Sequence, residues 1–388
     1  MFSSRLGQAV ARNPLAAAVE HRRAAGRPII DLTLSNPTCA GLAYPQGLLS
    51  SMGQDRALCY EPAPFGLLSA RQAVSDEHAR RGLAVPPERI VLTASTSEAY
   101  SLLFKLLCDP GDAVAAPRPS YPLVEHLTGL DAVRLEQYRL AFHGRWELDE
   151  SDLRAKASRK GLRAIVTISP NNPTGSVMTT AEFAAVASLA HDNDLALISD
   201  EVFADYPVSG VAPASALQQD TALTFVLGGL SKSAGLPQVK LGWIAVGGPD
   251  SLVAGAMERL ETICDAYLSV SSPAQVAAPE LLRAGAAVRC QIQERVRRNL
   301  SMLGTLASVN PACAVLPVEA GWQAVVQVPA TETEDAIVLD LLEHAGVLVH
   351  PGYFFDFERE AFLVVSLLPE PPVFASAARA IFERIGTR

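Results

Sequence analysis

Short apolar runs alternate with helix-length segments between residues 88 and 246, and few folds accommodate that order. Most of the runs are continuously apolar rather than alternating, which is typical of strands covered on both faces. We therefore predict an α/β fold whose large domain has a mostly parallel seven-stranded sheet between helices. The predicted strands are 89–94, 113–117, 132–136, 164–169, 196–199, 224–227 and 241–246.

The pattern changes after residue 285. Apolar residues recur at helical spacing from Val288 to Leu303, which predicts one long helix. Strand-like runs follow at 323–328, 347–350 and 362–367, and a last helix is predicted at about 373–385. We therefore predict a large domain at 46–285 and a smaller α+β domain. The smaller domain combines the N-terminal arm, 1–45, with the C-terminal segment, 286–388.

Composition excludes several classes of protein. The 388 residues include 32 basic and 41 acidic side chains, a net charge of −9, which argues against nucleic acid as the main partner. No window holds the roughly 18 consecutive apolar residues that a membrane-spanning helix needs. The six cysteines are scattered without a close pair, so we predict neither a metal site nor a disulfide framework. A cytoplasmic protein without nucleic acid or membrane partners is expected.

Polar groups follow two of the predicted strands. Ser95 and Thr96 stand where strand 89–94 gives way to a helix, and free N–H groups at a helix N-terminus suit a phosphate. The same residues are also ordinary helix caps. The segment Asn171-Asn172-Pro173-Thr174-Gly175 is a rigid turn after strand 164–169. It either holds an amide at the carboxyl edge of the sheet or serves only as a turn.

Charged groups follow two further strands. Asp200 ends the apolar strand 196–199, where a carboxylate is costly to bury unless it meets a cation or a donor; otherwise it caps the next segment. Lys232 lies in the segment Gly228–Trp243, which lacks the spacing of a Walker A loop. Most lysines are solvated. Here the apolar, glycine-rich flanks favour a buried, nucleophilic amine, with room nearby for a bulky planar group.

In this order and spacing, the four segments resemble the class I/II aminotransferases of the pyridoxal phosphate-dependent fold type I superfamily. The resemblance extends from about Leu32 to the C-terminal strand. It is carried jointly by the Asn-Asn-Pro-Thr-Gly turn, the Ser-Asp-Glu-Val strand end and the Leu-Ser-Lys-x-x-Gly-Leu-Pro loop. It implies an aspartate aminotransferase-like fold with pyridoxal 5′-phosphate as cofactor. It also implies transfer of an amino group between an amino acid and a 2-oxo acid by a ping-pong mechanism.

The resemblance further implies a role for each matching residue. Lys232 would form a Schiff base with the cofactor and shuttle the substrate's proton, and Asp200 would pair with the pyridine nitrogen. A homodimer with shared active sites is implied, in which Tyr60 reaches the partner's phosphate. The other cofactor contacts would come from Ser95, Thr96, Ser231 and Lys240 at the phosphate, and from Asn172, Tyr121 and Phe203 around the ring. Ser35, Asn36, Asn172 and Tyr121 would line the substrate pocket.

The chain departs from the family pattern at three positions. Phe203 replaces a tyrosine whose hydroxyl contacts the ring's 3′-oxygen, and Lys240 replaces an arginine. Val364 stands where an arginine usually binds the substrate's carboxylate. Either another cation substitutes, with Arg118 and Arg359 as candidates, or the substrate differs from an ordinary α-amino acid.

Two other functions therefore remain open. On the same cofactor the enzyme could catalyse elimination, cyclisation, decarboxylation or oxidation, because the carboxylate anchor sets which bond at Cα reacts. The second function is that of a regulator that binds the cofactor but has lost catalysis, although a protein that only binds the cofactor has no need of a nucleophilic lysine.

Overall fold

The computed structural model describes residues 3, 5 and 13–386 of the chain. Its strands are β1 (Ile30–Asp31), β2 (Ile90–Thr93), β3 (Ala113–Arg118), β4 (Arg134–Phe142), β5 (Trp146–Leu148), β6 (Leu162–Ile168), β7 (Ala196–Asp200), β8 (Thr224–Gly229), β9 (Gly242–Gly247), β10 (Ala314–Val315), β11 (Gln323–Gln327), β12 (Val347–Leu348), β13 (His350–Pro351) and β14 (Phe362–Ser366). Its helices are α1 (Pro14–Ala24), α2 (Leu68–Arg80), α3 (Thr96–Leu107), α4 (Leu123–Leu130), α5 (Glu150–Ala157), α6 (Thr180–Asp192), α7 (Leu230–Ser233), α8 (Asp250–Tyr267), α9 (Ser272–Ser308), α10 (Glu334–Asp340) and α11 (Pro371–Gly386).

The large sheet has the strand order β2-β9-β8-β7-β6-β3-β4-β5. Its strands are parallel except β9 and β5, which run antiparallel to their neighbours. Helices α3, α4 and α8 pack on one face, and α2, α5, α6 and α9 pack on the other. The predicted α/β fold with a mostly parallel sheet between helices is confirmed. The sheet also has an eighth strand, β5, which is too short to form a recognisable apolar run.

Local sequence explains where two helices of this domain begin. The Ser95 hydroxyl caps α3 by accepting the Glu98 amide at 3.2 Å. At α6, Thr179 and Glu182 form a reciprocal capping box, and Phe183 begins the face that packs on the sheet. Such caps satisfy backbone donors that the first helical turn leaves free. The helix predicted to follow strand 89–94 is confirmed.

Helix α9 is shared between two hydrophobic cores. Its first part, from Ala274 to Leu282, packs in the core under the large sheet. Its later part, from Val288 to Leu303, packs in a second core with the C-terminal strands and α11. The helix begins at Ser272, earlier than predicted, because Pro279 lies inside it without ending it. The division into residues 46–285 against 1–45 and 286–388 stays a prediction.

The C-terminal part forms a smaller antiparallel sheet in the order β10-β11-β14-β13. Strand β12 pairs instead with β1, in parallel, and so joins the N-terminal segment to this part of the molecule. The antiparallel sheet, together with the pairing of β1 and β12, confirms the predicted smaller α+β unit. Among the described residues, no helix is both long and apolar enough to cross a membrane.

Candidate active site

The carboxyl ends of neighbouring parallel strands bring the predicted site residues to one edge of the large sheet. Strands β6, β7 and β8 lie side by side, and they lead into Asn172, Asp200 and Lys232 respectively. Ligands of open α/β sheets bind at this edge. The order of the strands therefore turns three separated motifs into one site.

Asp200 is buried at the end of β7 with few partners. Its carboxylate accepts the Val202 amide at 3.2 Å and the Tyr100 hydroxyl at 3.3 Å. Burial raises the pKa of Asp200 to about 6, although these donors and the nearby Lys232 ammonium favour the charged form. The arrangement suits a carboxylate that becomes fully ionised when it meets a further cationic partner.

Lys232 lies in the short helix α7, immediately after β8. Part of the residue reaches solvent, but its Nζ lies 4.9 Å from the centroid of the Trp322 ring and 5.4 Å from that of Phe203. Burial lowers the pKa of Lys232 to about 8, although attraction to Asp200 opposes the change. A substantial fraction of the amine is therefore neutral near pH 8 and able to act as a nucleophile or a base.

The glycines around Lys232 allow neighbouring strands and the start of α3 to pack closely. A Cβ at Gly228 would lie 2.4 Å from Nε1 of Trp243, and one at Gly242 would lie 3.1 Å from the Ser95 backbone. These contacts bring β8 and β9 against the start of α3. These contacts concern only the space at the glycines themselves, so the room for a planar group near Lys232 stays a prediction.

The predicted phosphate end lies at the start of α3. Ser95 and Thr96 open a twelve-residue helix whose N-terminal amides carry partial positive charge. Ser231 precedes Lys232 on α7. Lys240 is exposed and adopts a left-handed φ of 58°, a conformation that costs a residue with a side chain about 1 kcal/mol. Such a cost, retained in a charged loop residue, is common at functional sites.

Asn172 and Tyr121 complete the set of groups that would contact a cofactor ring. The Asn172 Oδ1 is buried and has no hydrogen-bond partner among the described residues. Tyr121 is 44% exposed, and its ring centroid lies 6.3 Å from those of Phe354 and Phe355. An unpaired amide atom, an acid, an amine and a helix N-terminus fit the hydroxyl, ring nitrogen, aldehyde and phosphate of pyridoxal phosphate.

Three other predicted residues lie in exposed turns. Asn36 accepts the Thr38 amide at 3.1 Å, so it caps its own turn, and Ser35 precedes it. This turn is fixed to β14 because the Ser366 hydroxyl donates to the Leu34 carbonyl. Tyr60 is 69% exposed. That exposure is compatible with the partner contact predicted for Tyr60, which stays a prediction.

Val364 lies in an apolar cluster rather than beside a cation. It is buried on β14, with a cluster formed by Trp146, Leu316, Val325, Phe355, Phe357 and Phe362. Of the two candidate cations, Arg118 is paired with Glu358 at 2.8 Å, and Arg359 is exposed with its guanidinium carbon 5.5 Å from the Phe362 ring centroid. Neither arginine therefore has a contact that joins it to Lys232 or Asp200.

Two residues near the site were not predicted to contact it. Tyr100 resembles a core residue of an apolar helix, and only the packing of α3 on the sheet brings its hydroxyl to Asp200. Trp322 is fully buried, as a packing residue should be. Its contact with Lys232 joins segments 90 residues apart, and no motif in the sequence indicates it.

The pKa of Asp200 predicts a pH-dependent stability difference. The raised pKa means that the ionised form of Asp200 destabilises the folded state. This destabilisation is absent below about pH 4 and complete above about pH 6. In cofactor-free protein, Asp200→Asn should therefore raise the free energy of unfolding by up to about 3 kcal/mol at pH 7.5 and by little at pH 4. Urea unfolding at both pH values measures this. The exposed Asp220→Asn is the control, and an equal effect at both pH values would contradict the prediction.

Comparison with known proteins agrees with the fold. The family model for aminotransferase class I and II matches residues 33–373. Nicotianamine aminotransferase 1 from Oryza sativa subsp. japonica is 29% identical over 289 residues, which span 70% of this chain but only 56% of that enzyme. Alanine aminotransferase from Mycobacterium tuberculosis strain H37Rv is 27% identical over 97% of this chain and 89% of that enzyme. The solved alanine aminotransferase from Pyrococcus furiosus covers both chains completely, with a TM-score of 0.90 and 22% identity.

The family match covers most of the chain, including every segment that builds the sheet edge around Lys232. Members of this family generally use pyridoxal phosphate. The chain belongs to the class I and II aminotransferases.

Proposed function

We propose that this aminotransferase moves an amino group between an amino acid and a 2-oxo acid, using pyridoxal phosphate held at Lys232. The observation that carries the proposal is the placement of the Lys232 amine and the Asp200 carboxylate at adjacent strand ends, where each affects the ionisation of the other. The alanine aminotransferases among the similar proteins support the reaction class.

When bound, pyridoxal phosphate supplies an aldehyde that condenses with primary amines and a ring that withdraws electrons from the substrate's Cα. Asp200 would hold the ring nitrogen, Asn172 the ring hydroxyl, and Tyr121 the ring face. Thr96 and the α3 N-terminus would bind the phosphate, together with Ser95, Ser231 and Lys240. Phe203 would only pack beside the ring, because it has no hydroxyl.

Lys232 is proposed to move the proton. With a pKa of about 8, its amine is partly neutral at physiological pH, so it can accept a proton from the substrate's Cα and return it later in the transfer. Asp200, once paired with a cation, keeps its charge and stabilises that partner. Donor and acceptor would occupy the same site in turn, which gives ping-pong kinetics.

The test separates the two halves of the reaction. An amino acid alone should change the visible spectrum of the cofactor-loaded protein, and a 2-oxo acid added afterwards should restore it. Initial rates at several fixed acceptor concentrations should give parallel double-reciprocal lines. Intersecting lines, or a spectrum that no 2-oxo acid restores, would contradict amino-group transfer by this scheme.

The apolar surroundings of Val364 favour a second candidate, another pyridoxal phosphate reaction such as elimination, cyclisation, decarboxylation or oxidation. Without an arginine at this place, the orientation of the substrate at Cα has to come from other groups, and orientation decides which bond breaks. Consumption of an amino acid without any 2-oxo acid would favour this candidate. Dependence on a 2-oxo acid would exclude it.

We also propose a homodimer with shared active sites. Tyr60 and Tyr267, 69% and 55% exposed, line one cavity beside α9, and Leu58 nearby in sequence is 88% exposed. Large apolar side chains exposed in this way commonly mark an interface between subunits. In such a dimer Tyr60 would contact the cofactor phosphate of the partner subunit.

Subunit mixing tests the shared site. Lys232→Ala and Tyr60→Ala should each be poorly active, but after unfolding and refolding together they should recover roughly a quarter of wild-type activity. The reason is that each mixed dimer contains one site with both residues intact. Mixing Lys232→Ala with Asp200→Asn is the matched control, since these residues belong to one subunit's site and no recovery is expected. Equal recovery in both mixtures would contradict the proposal.

A further inference from the structure

We propose that Tyr100 is a positioning residue of this site: its buried hydroxyl holds the Asp200 carboxylate ionised and in a fixed orientation. The inference rests on the proposed function, because it assigns Tyr100 to the group that would meet the cofactor's ring nitrogen. Tyr100 is fully buried, and its hydroxyl donates to Asp200 Oδ2 at 3.3 Å. The Val202 amide occupies the other oxygen, Oδ1, at 3.2 Å. The two donors thus fix both ends of the carboxylate.

The location of Tyr100 connects the two ends of the proposed cofactor site. Helix α3 begins at the predicted phosphate site and presents Tyr100 to Asp200 about one turn later. A displacement of α3 would therefore move the phosphate contacts and the Asp200 donor together. Because the fully buried hydroxyl acts through its hydrogen bond to Asp200, the role of Tyr100 is positioning rather than catalytic.

The other charged groups around Asp200 leave Tyr100 with a distinct role. The Lys232 ammonium attracts the carboxylate, and the adjacent Glu201 repels it. Glu201 is itself compensated by Arg81 at 2.9 Å and by the Ser215 hydroxyl at 2.8 Å. Tyr100 is the side chain seen to donate a hydrogen bond directly to Asp200 within the described residues.

The expected effect of losing the hydroxyl has a definite sign. A donor to a carboxylate stabilises its charged form, so Tyr100→Phe should raise the pKa of Asp200. At 3.3 Å the bond is longer than most O–H···O bonds, so the rise in the pKa of Asp200 should be modest. Binding of a cationic ring nitrogen should therefore weaken near pH 6 and remain almost unchanged at pH 8.

Binding of pyridoxal phosphate to the cofactor-free protein measures this directly. The dissociation constant is followed by quenching of tryptophan fluorescence, for which Trp322 beside Lys232 is a suitable probe. Tyr100→Phe should increase the ratio of the dissociation constants at pH 6 and pH 8 by about two- to fivefold over wild type. Tyr138→Phe is the matched control: Tyr138 is equally buried, but its hydroxyl donates to the Val166 carbonyl at 2.9 Å.

The proposal is overturned if Tyr100→Phe and Tyr138→Phe both keep the wild-type ratio. If Tyr100→Phe does not fold, 3-fluorotyrosine incorporated at position 100 keeps the shape and makes a stronger donor. It should then move the ratio in the opposite direction, and an unchanged ratio would again overturn the proposal. A wild-type protein that does not bind pyridoxal phosphate overturns the proposed function as well, whereas binding with an unchanged ratio overturns this inference alone.

Discussion

Lys232→Ala is expected to reduce amino-group transfer by about 10⁴-fold, because it removes the base that moves the substrate's proton. No other amine is seen near Asp200 among the described residues, so no neighbour can replace it. The variant should fold, since alanine at the half-buried end of α7 leaves the surrounding core intact. Single-turnover rates with saturating pyridoxal phosphate separate this loss from weaker cofactor binding.

The exposed Lys160→Ala is the control for removing a lysine. It should leave the rate unchanged. Without added amines, Lys232→Ala should transfer amino groups at less than about a hundredth of the wild-type rate. A faster rate under those conditions would contradict the role assigned to Lys232. Rescue by a small amine such as methylamine would instead support the role, because the amine supplies the missing base.

Asp200→Asn is expected to lower kcat by about 10²–10³-fold while the cofactor-free protein becomes more stable. An amide is neutral and cannot stabilise a cationic ring nitrogen, so the electron-withdrawing power of the cofactor should fall. The same change removes a buried carboxylate that destabilises the fold above about pH 6. Function and stability therefore oppose each other at this residue, as is common at active sites.

Steady-state kinetics at saturating cofactor and urea unfolding of the cofactor-free protein test the two effects in one preparation. Asp220→Asn, on the surface, should change neither. An unchanged kcat in Asp200→Asn would contradict the pairing with the ring nitrogen. If Asp200→Asn is less stable than wild type at pH 7.5, the buried carboxylate does not destabilise the fold as expected.

Much of the fold could be predicted because buried parallel strands are continuously apolar. The strands around Val114, Ile165 and Phe225 are of this kind, and all three were predicted. Strand β5 was missed because three residues with Glu147 in the middle show no such run. The early start of α9 was missed because Pro279 normally interrupts a helix.

The candidate site could be predicted only where a motif is continuous in sequence. Asn172, Asp200 and Lys232 lie in such motifs, and strand order then brings them together. The contacts of Tyr100 and Trp322 depend on the packing of distant segments, which no local pattern records. The substrate side was the least predictable part, since Val364 interrupts the family pattern and the packing around it is apolar.

Helix α9 has a consequence for how this chain can be divided. It is 37 residues long, or roughly 55 Å, and it lends side chains to both cores. A cut near residue 285 would leave each core its own part of the helix, but it would separate Phe203 and Tyr206 from the second core, where they pack with Val288 and Ile292. We therefore expect residues 286–388, expressed without the preceding chain, to expose part of that core to solvent.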